Sequence, residues 1–543
     1  MFWRRIELKF TEQAVARRPA SLRSSRILQA CQMLSKRLIL ILLLAALVRA
    51  GHVAAIWNTP ILDVPIIDSK FYHSWAASLA AEEAQPKQLF FMSPLYPYFL
   101  SVLYRIFGAH PRVAVVVQLL MGVFLVFLIN RLGTRIFDEK VGLLTAALAA
   151  LYRPFVYYES VLLSATLILC LNGLALLLIL SPRKRPTDYV AAGLLLGLSA
   201  LARPNVLLFG LLALGYLLFK SKSERRLAFY WILGFALILG PVAYRNYQVS
   251  GRLVLATAGL GMNFYAGNNA EAQGIYSEAP FIRSAEPEFE EKDYLAEATR
   301  RTGKDLDAVE ASQFWLRQGL FFILEKPGRY VGLWMRKFFL FFHSTEIPNN
   351  LSLYAVSAFS FVLKLLPFTF GLLAPFGAAY WLLNHRKMKG TLIHVYGLSY
   401  LAATLLFFAA SEYRLPILLI LLPCSAAALL EIWKKVKQHE AGQIVRLAVF
   451  TLLFALVMNM PMSFTTSLTS PRMDFFNMGI TLQEGGRHEE AVGLLKRSLS
   501  VDPSFAAAHI ALGESYLQLG QSEAAQEEFR RGGAPMPQSP QQP

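Results

Sequence analysis

Cysteine is nearly absent from this chain. Its three copies in 543 residues, Cys31, Cys170 and Cys424, stand far apart, two of them inside apolar runs, and form no CxxC pair. That excludes a disulfide framework and a structural zinc site of familiar spacing. Charged residues are also scarce, at 16%, and unbalanced: 53 Lys and Arg against 36 Asp and Glu, a net charge of +17. Such a surplus can signal nucleic acid. Here the basic residues gather in short connections between apolar runs, as membrane topology requires, so nucleic-acid binding is set aside. His73 has neither a His-x-x-x-His partner nor a tight acidic cluster beside it to support a metal site.

What the chain has in abundance is apolar length. It is 55% hydrophobic, and its apolar runs reach roughly 17 to 25 residues, the length a helix needs to cross a bilayer. The first 37 residues carry nine Lys or Arg against two Glu. They read as a basic cytoplasmic tail ahead of an uncleaved helix, with apolar spacing that also suits the membrane surface. Placing the Arg/Lys-rich connections inside (131–140, "SPRKRP" at 181, "KSKSERR" at 220, "NHRKMKG" at 384 and "KKVKQ" at 434) gives a consistent zigzag. The spans fall near 38–57, 113–131, 141–157, 161–180, 189–202, 204–219, 228–244, 366–383, 391–410, 415–433 and 445–462, about eleven helices. The expected architecture is therefore an all-α, polytopic membrane bundle, N-terminus cytoplasmic and C-terminus outside. Two long segments, 58–112 and 245–365, and three turns, "YRPFVYYES", "ARPN" and "SEYRLP", face outside. "RYVGLWMRKFFLFFH" at 329 carries Arg336 and Lys337, expensive at mid-bilayer, and reads as an amphipathic interfacial helix. The other reading makes it a span, with a further span at 351–365.

Past Ser463 the composition becomes that of a soluble domain. Residues 474–537 repeat with a period of 34, aligning Gly479 with Gly513, Leu482 with Tyr516, Ala491 with Ala525, Leu495 with Phe529 and Pro503 with Pro537. The pattern is that of tetratricopeptide repeats, followed by a tail expected to be disordered over 538–543. Two repeats are too few for an independent solenoid. They are expected to lean on the outside loops, a second copy or a partner protein.

Everything with a chemical look falls on the outside. Asp68 follows the first span in "DSKFYHSWAASLA", where a carboxylate can act as general base on an acceptor held at the membrane surface; its plain alternative is a helix cap. Glu159 is a second carboxylate, in the turn after the third span, with an interfacial alternative. Arg203 in "LARPN" and Arg414 in "SEYRLP" sit at outside helix ends and suit a phosphate, or else snorkel to the interface. Asn263, Asn268 and Asn269, with the ring of Tyr265, could meet a sugar, although Gly-Asn-Asn also makes turns. His73 is more simply a non-metal residue, and Arg49 is an intramembrane charge with no partner legible in the sequence.

The motif Asp-x-x-x-Tyr-x-x-x-Ala after the first span, then Ser-Pro-Leu-Tyr-Pro-Tyr and a helix ending in Phe-Gly, resembles the GT-C membrane glycosyltransferases, above all the protein mannosyltransferase and aminoarabinose transferase family. The resemblance covers roughly residues 38–435, so that 38–463 is expected to form one GT-C-like domain. It implies a sugar donor linked to polyprenyl phosphate, an acceptor that is a protein, lipid or glycan, and a single, inverting displacement. It further implies Asp68 as the activating carboxylate, with Arg203 and Arg414 at the donor phosphate. Tyr72, His73, Tyr96, Asn268 and Asn269 are expected to line the pocket, and the two-repeat ending points to a bacterial inner membrane with the repeats in the periplasm. The family's second acid has Ala165 near its place here, so Glu159 is the expected substitute. The resemblance leaves a divalent metal cofactor open. Two other classes stay in view: a lipid or sugar transporter, against which stands the lack of an internal half-repeat, and a non-catalytic platform for the repeats, which would tolerate loss of Asp68 but not of residues 474–531.

Overall fold

The computed structural model describes residues 35–83, 88–284 and 286–537. The basic tail through residue 34, with Cys31, and the 538–543 tail lie outside the described residues. The described chain is helical throughout, its only β features two isolated bridges. Helices of eight residues or more are numbered here. All eleven expected spans contain helix. They are α1 (Lys36–Ile56), α4 (Pro111–Ile136), α5 (Glu139–Ala150), α6 (Ala165–Ile179), α7 (Pro186–Ala202), α8 (Val206–Leu218), α9 (Lys222–Ser250), α14 (Phe370–Asn384), α15 (Thr391–Leu406), α16 (Leu418–Lys437) and α17 (Val445–Met458). Lys36–Ile56, Pro111–Ile136, Glu224–Ser250 and Ser411–Lys437 are long and apolar enough to cross a bilayer by themselves, and several others are apolar but shorter. The protein is a multi-pass membrane bundle.

Two spans depart from expectation. The third helix stops at Ala150 and restarts as a short helix at Arg153, because Pro154 has no N–H to continue the ladder and suits a first turn. The seventh, α9, runs on to Ser250, beyond its expected end near residue 244, and stops at Gly251 in the left-handed conformation.

The end of the bundle opposite the Arg/Lys-rich connections carries two amphipathic helices from the first long segment, α2 (Asp68–Ala80) and α3 (Leu95–Phe107), and four from the second, α10 (Leu260–Gly267), α11 (Pro287–Thr302), α12 (Ala308–Glu325) and α13 (Pro327–Phe342). Helix α13 is the "RYVGLWMRKFFLFFH" stretch. Val331, Trp334, Met335 and Phe339 are exposed along one face, while Lys337 is fully buried on the other, its Nζ donating to Asn268 Oδ1 at 2.9 Å. Residues 351–365 form two helices of seven and five residues, too short for a span, so the alternative with extra spans is not built.

The C-terminal region forms two helical hairpins, α18 (Arg472–Glu484) with α19 (His488–Val501) and α20 (Ala506–Gln518) with α21 (Ser522–Arg531). The aligned glycines do the same job in each. A Cβ on Gly479 would press on the Leu495 side chain, and one on Gly513 on Phe529. The apolar core runs unbroken from the bundle through Phe475, Met478 and Leu482 into the first repeat. The repeats thus lean on their own chain's loops.

Candidate active site

A cavity of about 460 Å³ opens at the loop end of the bundle. Asp68, Tyr72, Arg203, Asn263 and Tyr413 line it, with the irregular 253–259 segment and α12 residues Ser312 and Gln313 as walls. Three structural devices hold these walls.

The first fixes Asp68. Asp68 begins α2, and its side chain caps nothing; instead it is gripped by Asn350, 282 residues later in the chain. The Asp68 N–H donates to Asn350 Oδ1 at 3.0 Å, and Asn350 Nδ2 donates to Asp68 Oδ2 at 2.9 Å. The preceding Ile67 holds φ at +52°, a conformation that costs a β-branched residue on the order of 1 to 3 kcal/mol and persists only where its surroundings over-determine it. Burial pushes the Asp68 carboxyl up to about 6, with the Asn350 hydrogen bond opposing, Glu412 adding to the rise and Arg203 opposing it. A carboxylate so tuned is ionised at neutral pH and close enough to neutrality to accept a proton.

The second fixes Arg203. It is the residue that ends α7, in the turn before α8, and it pairs with Glu412 while its guanidinium lies 4.6 Å from the Tyr413 ring centre. Burial opposes its charge, but Glu412 and Tyr413 favour it, and the balance holds its pKa above the ordinary value. Its side chain stays 19% exposed, enough to meet a ligand, whereas that of Glu412 is 3% exposed.

The third builds the wall. A Cβ on Gly261 would collide with the Ser312 carbonyl, so only glycine lets α10 lie directly on α12, where Gly261 N–H donates to Ser312 Oγ at 3.0 Å. Asn246, fully buried in the extension of α9, donates from Nδ2 to the Val254 and Ala256 carbonyls at 2.9 and 3.2 Å. These two contacts place the 253–259 segment across the cavity.

Of the residues expected from sequence, Asp68, Tyr72 and Arg203 come together here, and Asn263 with them. The others are placed elsewhere. Glu159 is buried against Arg49 of α1, with Arg49 Nη2 donating to Oε1 at 2.7 Å and Nε 2.7 Å from Oε2, which supplies the partner the sequence did not reveal. Arg414 is sealed by Glu346 at 3.0 Å and by the Phe341, His343 and Thr345 carbonyls. Tyr96 sits behind Tyr72, ring centres 5.3 Å apart, and donates to Gln118 Oε1. His73 points to the Tyr104 hydroxyl at 2.9 Å. Asn268 bonds the Phe264 and Leu406 carbonyls and accepts from Lys337, and Asn269 bonds the Tyr265 carbonyl. Asn268 joins three elements and Asn269 closes its own local turn, and neither lines the cavity.

Sequence reasoning passed over Asn350, Glu412, Tyr413 and Asn246. Glu412 and Tyr413 immediately precede Arg414 inside the quoted "SEYRLP", so a signal was present and fell on the neighbouring residue. Asn350 and Asn246 carry no local signal. Among the described residues no group of three or more His, Cys, Asp or Glu is close enough to hold a metal ion.

Fold and cavity together define a multi-pass α-helical membrane protein with a carboxylate and an arginine converging at one end of the bundle. Residues 85–244 match the dolichyl-phosphate-mannose-protein mannosyltransferase family model, and residues 482–542 match the tetratricopeptide repeat. The match covers part of the stretch over which the opening motif suggested the resemblance: it contains the Ser-Pro-Leu-Tyr-Pro-Tyr run and Arg203, and begins after Asp68. The apo oligosaccharyltransferase of Archaeoglobus fulgidus is similar in structure at 16% identity and TM-score 0.42, over 83% of this chain and 59% of its own. ArnT from Cupriavidus metallidurans bound to undecaprenyl phosphate is similar at 13% identity and TM-score 0.42, over 90% of this chain and 77% of its own. The Saccharomyces cerevisiae Pmt1-Pmt2 complex bound to the sugar donor is similar at 17% identity and TM-score 0.30, over 43% of this chain and 37% of its own. The chain thus spans 59% of the length of the archaeal enzyme. No curated protein matches it by sequence.

Proposed function

We propose that this protein is a membrane glycosyltransferase that moves a sugar from a polyprenyl-phosphate carrier to an acceptor on the extracytoplasmic face. The observation that carries the reading is that Asp68 and Arg203 line one cavity, each held by a partner from a distant part of the chain. The mannosyltransferase-family match over the segment containing Arg203 supports it.

In this mechanism the donor's phosphate rests against Arg203, whose planar fork donates to phosphate oxygens. Asp68 takes the proton from the acceptor's hydroxyl or amine as the acceptor attacks the anomeric carbon. The bond to the carrier oxygen breaks, the polyprenyl phosphate leaves with the electron pair, and Arg203 stabilises the charge that develops on it. One displacement inverts the anomeric centre. Leu253, Leu255 and Leu260, each half or more exposed along the cavity rim, offer an apolar surface to the isoprenoid tail. The Tyr72 hydroxyl, buried beside Asp68, keeps its proton through the neutral range because burial and the neighbouring carboxylate raise its pKa far above ordinary. It serves as a donor to the sugar.

The test is release of polyprenyl phosphate by the reconstituted protein from a panel of polyprenyl-phosphate sugars. Acceptor-dependent release by wild type, lost in Asp68→Asn, supports the reading; equal release by both, or none with any donor, refutes it.

A further inference from the structure

The repeat domain reaches the cavity's carboxylate through one short loop. Asp474, in the first turn of α18, accepts from the Ser352 N–H at 2.9 Å and from Ser352 Oγ at 2.5 Å. Ser352 follows Asn350 by two residues, and Asn350 is the residue that grips Asp68 from both backbone and side chain. Around this contact Phe475 packs edge-on to Phe359, and the Arg497 guanidinium covers the Phe359 ring at 4.3 Å. On the other side, Lys70, two residues after Asp68, bridges Glu484 of α18 at 2.9 Å and Glu286 of the second long segment at 2.7 Å. The helix that begins with Asp68 is therefore touched by the repeats at both the loop that holds it and its own first turn.

We propose that Asp474 is a positioning residue for Asp68, acting through Ser352 and Asn350, so that the first tetratricopeptide repeat braces the active site from behind its lining. The chemistry of the contact favours this over a merely adhesive junction. Asp474 is 8% exposed, and a buried carboxylate gains by its partners only when they are held in place. Its two hydrogen bonds fix both the backbone and the side chain of Ser352, and a loop fixed at Ser352 leaves Asn350 little freedom. A partner protein that bound the repeats and rotated α18 would move Asn350, giving acceptor docking a direct route to the base.

The proposal rests on the reading of Asp68 as general base, and the experiment separates the two. The groups facing Asp68 are Asn350, Arg203, Glu412, Tyr72, Tyr413 and Glu290. The Asn350 hydrogen bond holds the Asp68 pKa down, so loosening Asn350 moves the acid limb of the pH–rate profile to higher pH. Asp474 is itself lifted to about 6 by burial, so the profile is compared between Asp474→Ala and Asp474→Asn. Both lack that carboxyl, but Asn keeps an acceptor for the Ser352 N–H. The expected result is an acid limb displaced upward in Asp474→Ala relative to Asp474→Asn, together with a turnover about 10-fold lower. Loss of folded protein lowers turnover without moving the limb. If Asp474→Ala fails to fold, Ser352→Ala against wild type decides, both retaining Asp474. Superimposed limbs in an active enzyme overturn the positioning role alone; a wild type inactive with every donor overturns the transferase reading and this role with it.

Discussion

The chain buries arginines in two ways at one end of its bundle. In the sealed interior, Arg49 meets Glu159 with 2% and 1% side-chain exposure, and Arg414 is enclosed by Glu346 and three carbonyls. Around the cavity, Arg203 has one carboxylate and one aromatic ring, and keeps a face open. A guanidinium has five donors. Where protein groups take most of them, the residue ties helices together; where they take few, it remains free to bind. Occupancy of the donors, rather than position along the sequence, separates the sealed arginines from the open one.

The strongest way to break this comparison is at the open site. Asp68→Asn should lower sugar transfer by roughly 10²- to 10⁴-fold, the range for losing a general base. The same change should raise thermal stability. The folded-state pKa of Asp68 lies above its unfolded value, so ionising it destabilises the fold progressively as pH rises from about 4 through about 6, and at neutral pH the whole cost is present. Turnover and the melting midpoint in detergent, measured on one preparation, check both signs. A drop in both would place Asp68 among the structural charges.

The sealed pair should behave in the opposite sense. Removing either partner, as in Arg49→Met or Glu159→Gln, strands a buried charge and should cost about 3 to 5 kcal/mol, while the folded fraction keeps its turnover. Replacing both with apolar residues should cost less than either alone. Denaturant unfolding of the two singles and the double tests this; a turnover loss in the folded single variants would bring Glu159 back as a second acid. A Cβ on Gly122 would collide with the Glu159 carboxylate, so Gly122→Ala should weaken the same pair from the facing helix.

Arg203→Ala should reduce kcat by about 10²- to 10³-fold, the scale for losing one stabiliser of a developing anion, and Arg203→Lys should recover part of it, because charge returns without the planar fork. Arg414→Lys, at the sealed site, should affect melting more than turnover.

The smallest expected effect sharpens the comparison instead. The proposed mechanism requires ionised Asp68, so turnover should fall as pH drops through about 6. Asn350→Ala removes the hydrogen bond that holds the carboxyl down, and the acid limb should move upward. A limb unmoved by this substitution would show that Asn350 supports the loop without tuning the base.

Much of this molecule was legible before its structure. Eleven apolar runs predicted helices, and each of them contains helix, because a bilayer's thickness and the cost of unpaired backbone in lipid impose a length that any chain must write locally. The 34-residue period was equally legible, since the two helices of each repeat close on the same small-to-large contact, Gly479 on Leu495 in the first and Gly513 on Phe529 in the second. Asp68 stood out because it lies just past a span, in a motif of fixed spacing.

What the tertiary structure decided was which charges are spent. Arg203 and Arg414 look alike as sequence, each an arginine beside proline or leucine at a helix end. Only folding sets Arg203 against Glu412, 209 residues away, and closes Arg414 behind residues 341–346. Asp68 is legible, but the Asn350 that tunes it lies 282 residues later, in a loop held by the repeat domain. Hydrophobic periodicity is a local property, written at the spacing of the helix. Electrostatic partnership depends on distances of a few ångströms between residues the sequence keeps hundreds of positions apart, and only the packed chain brings them within reach.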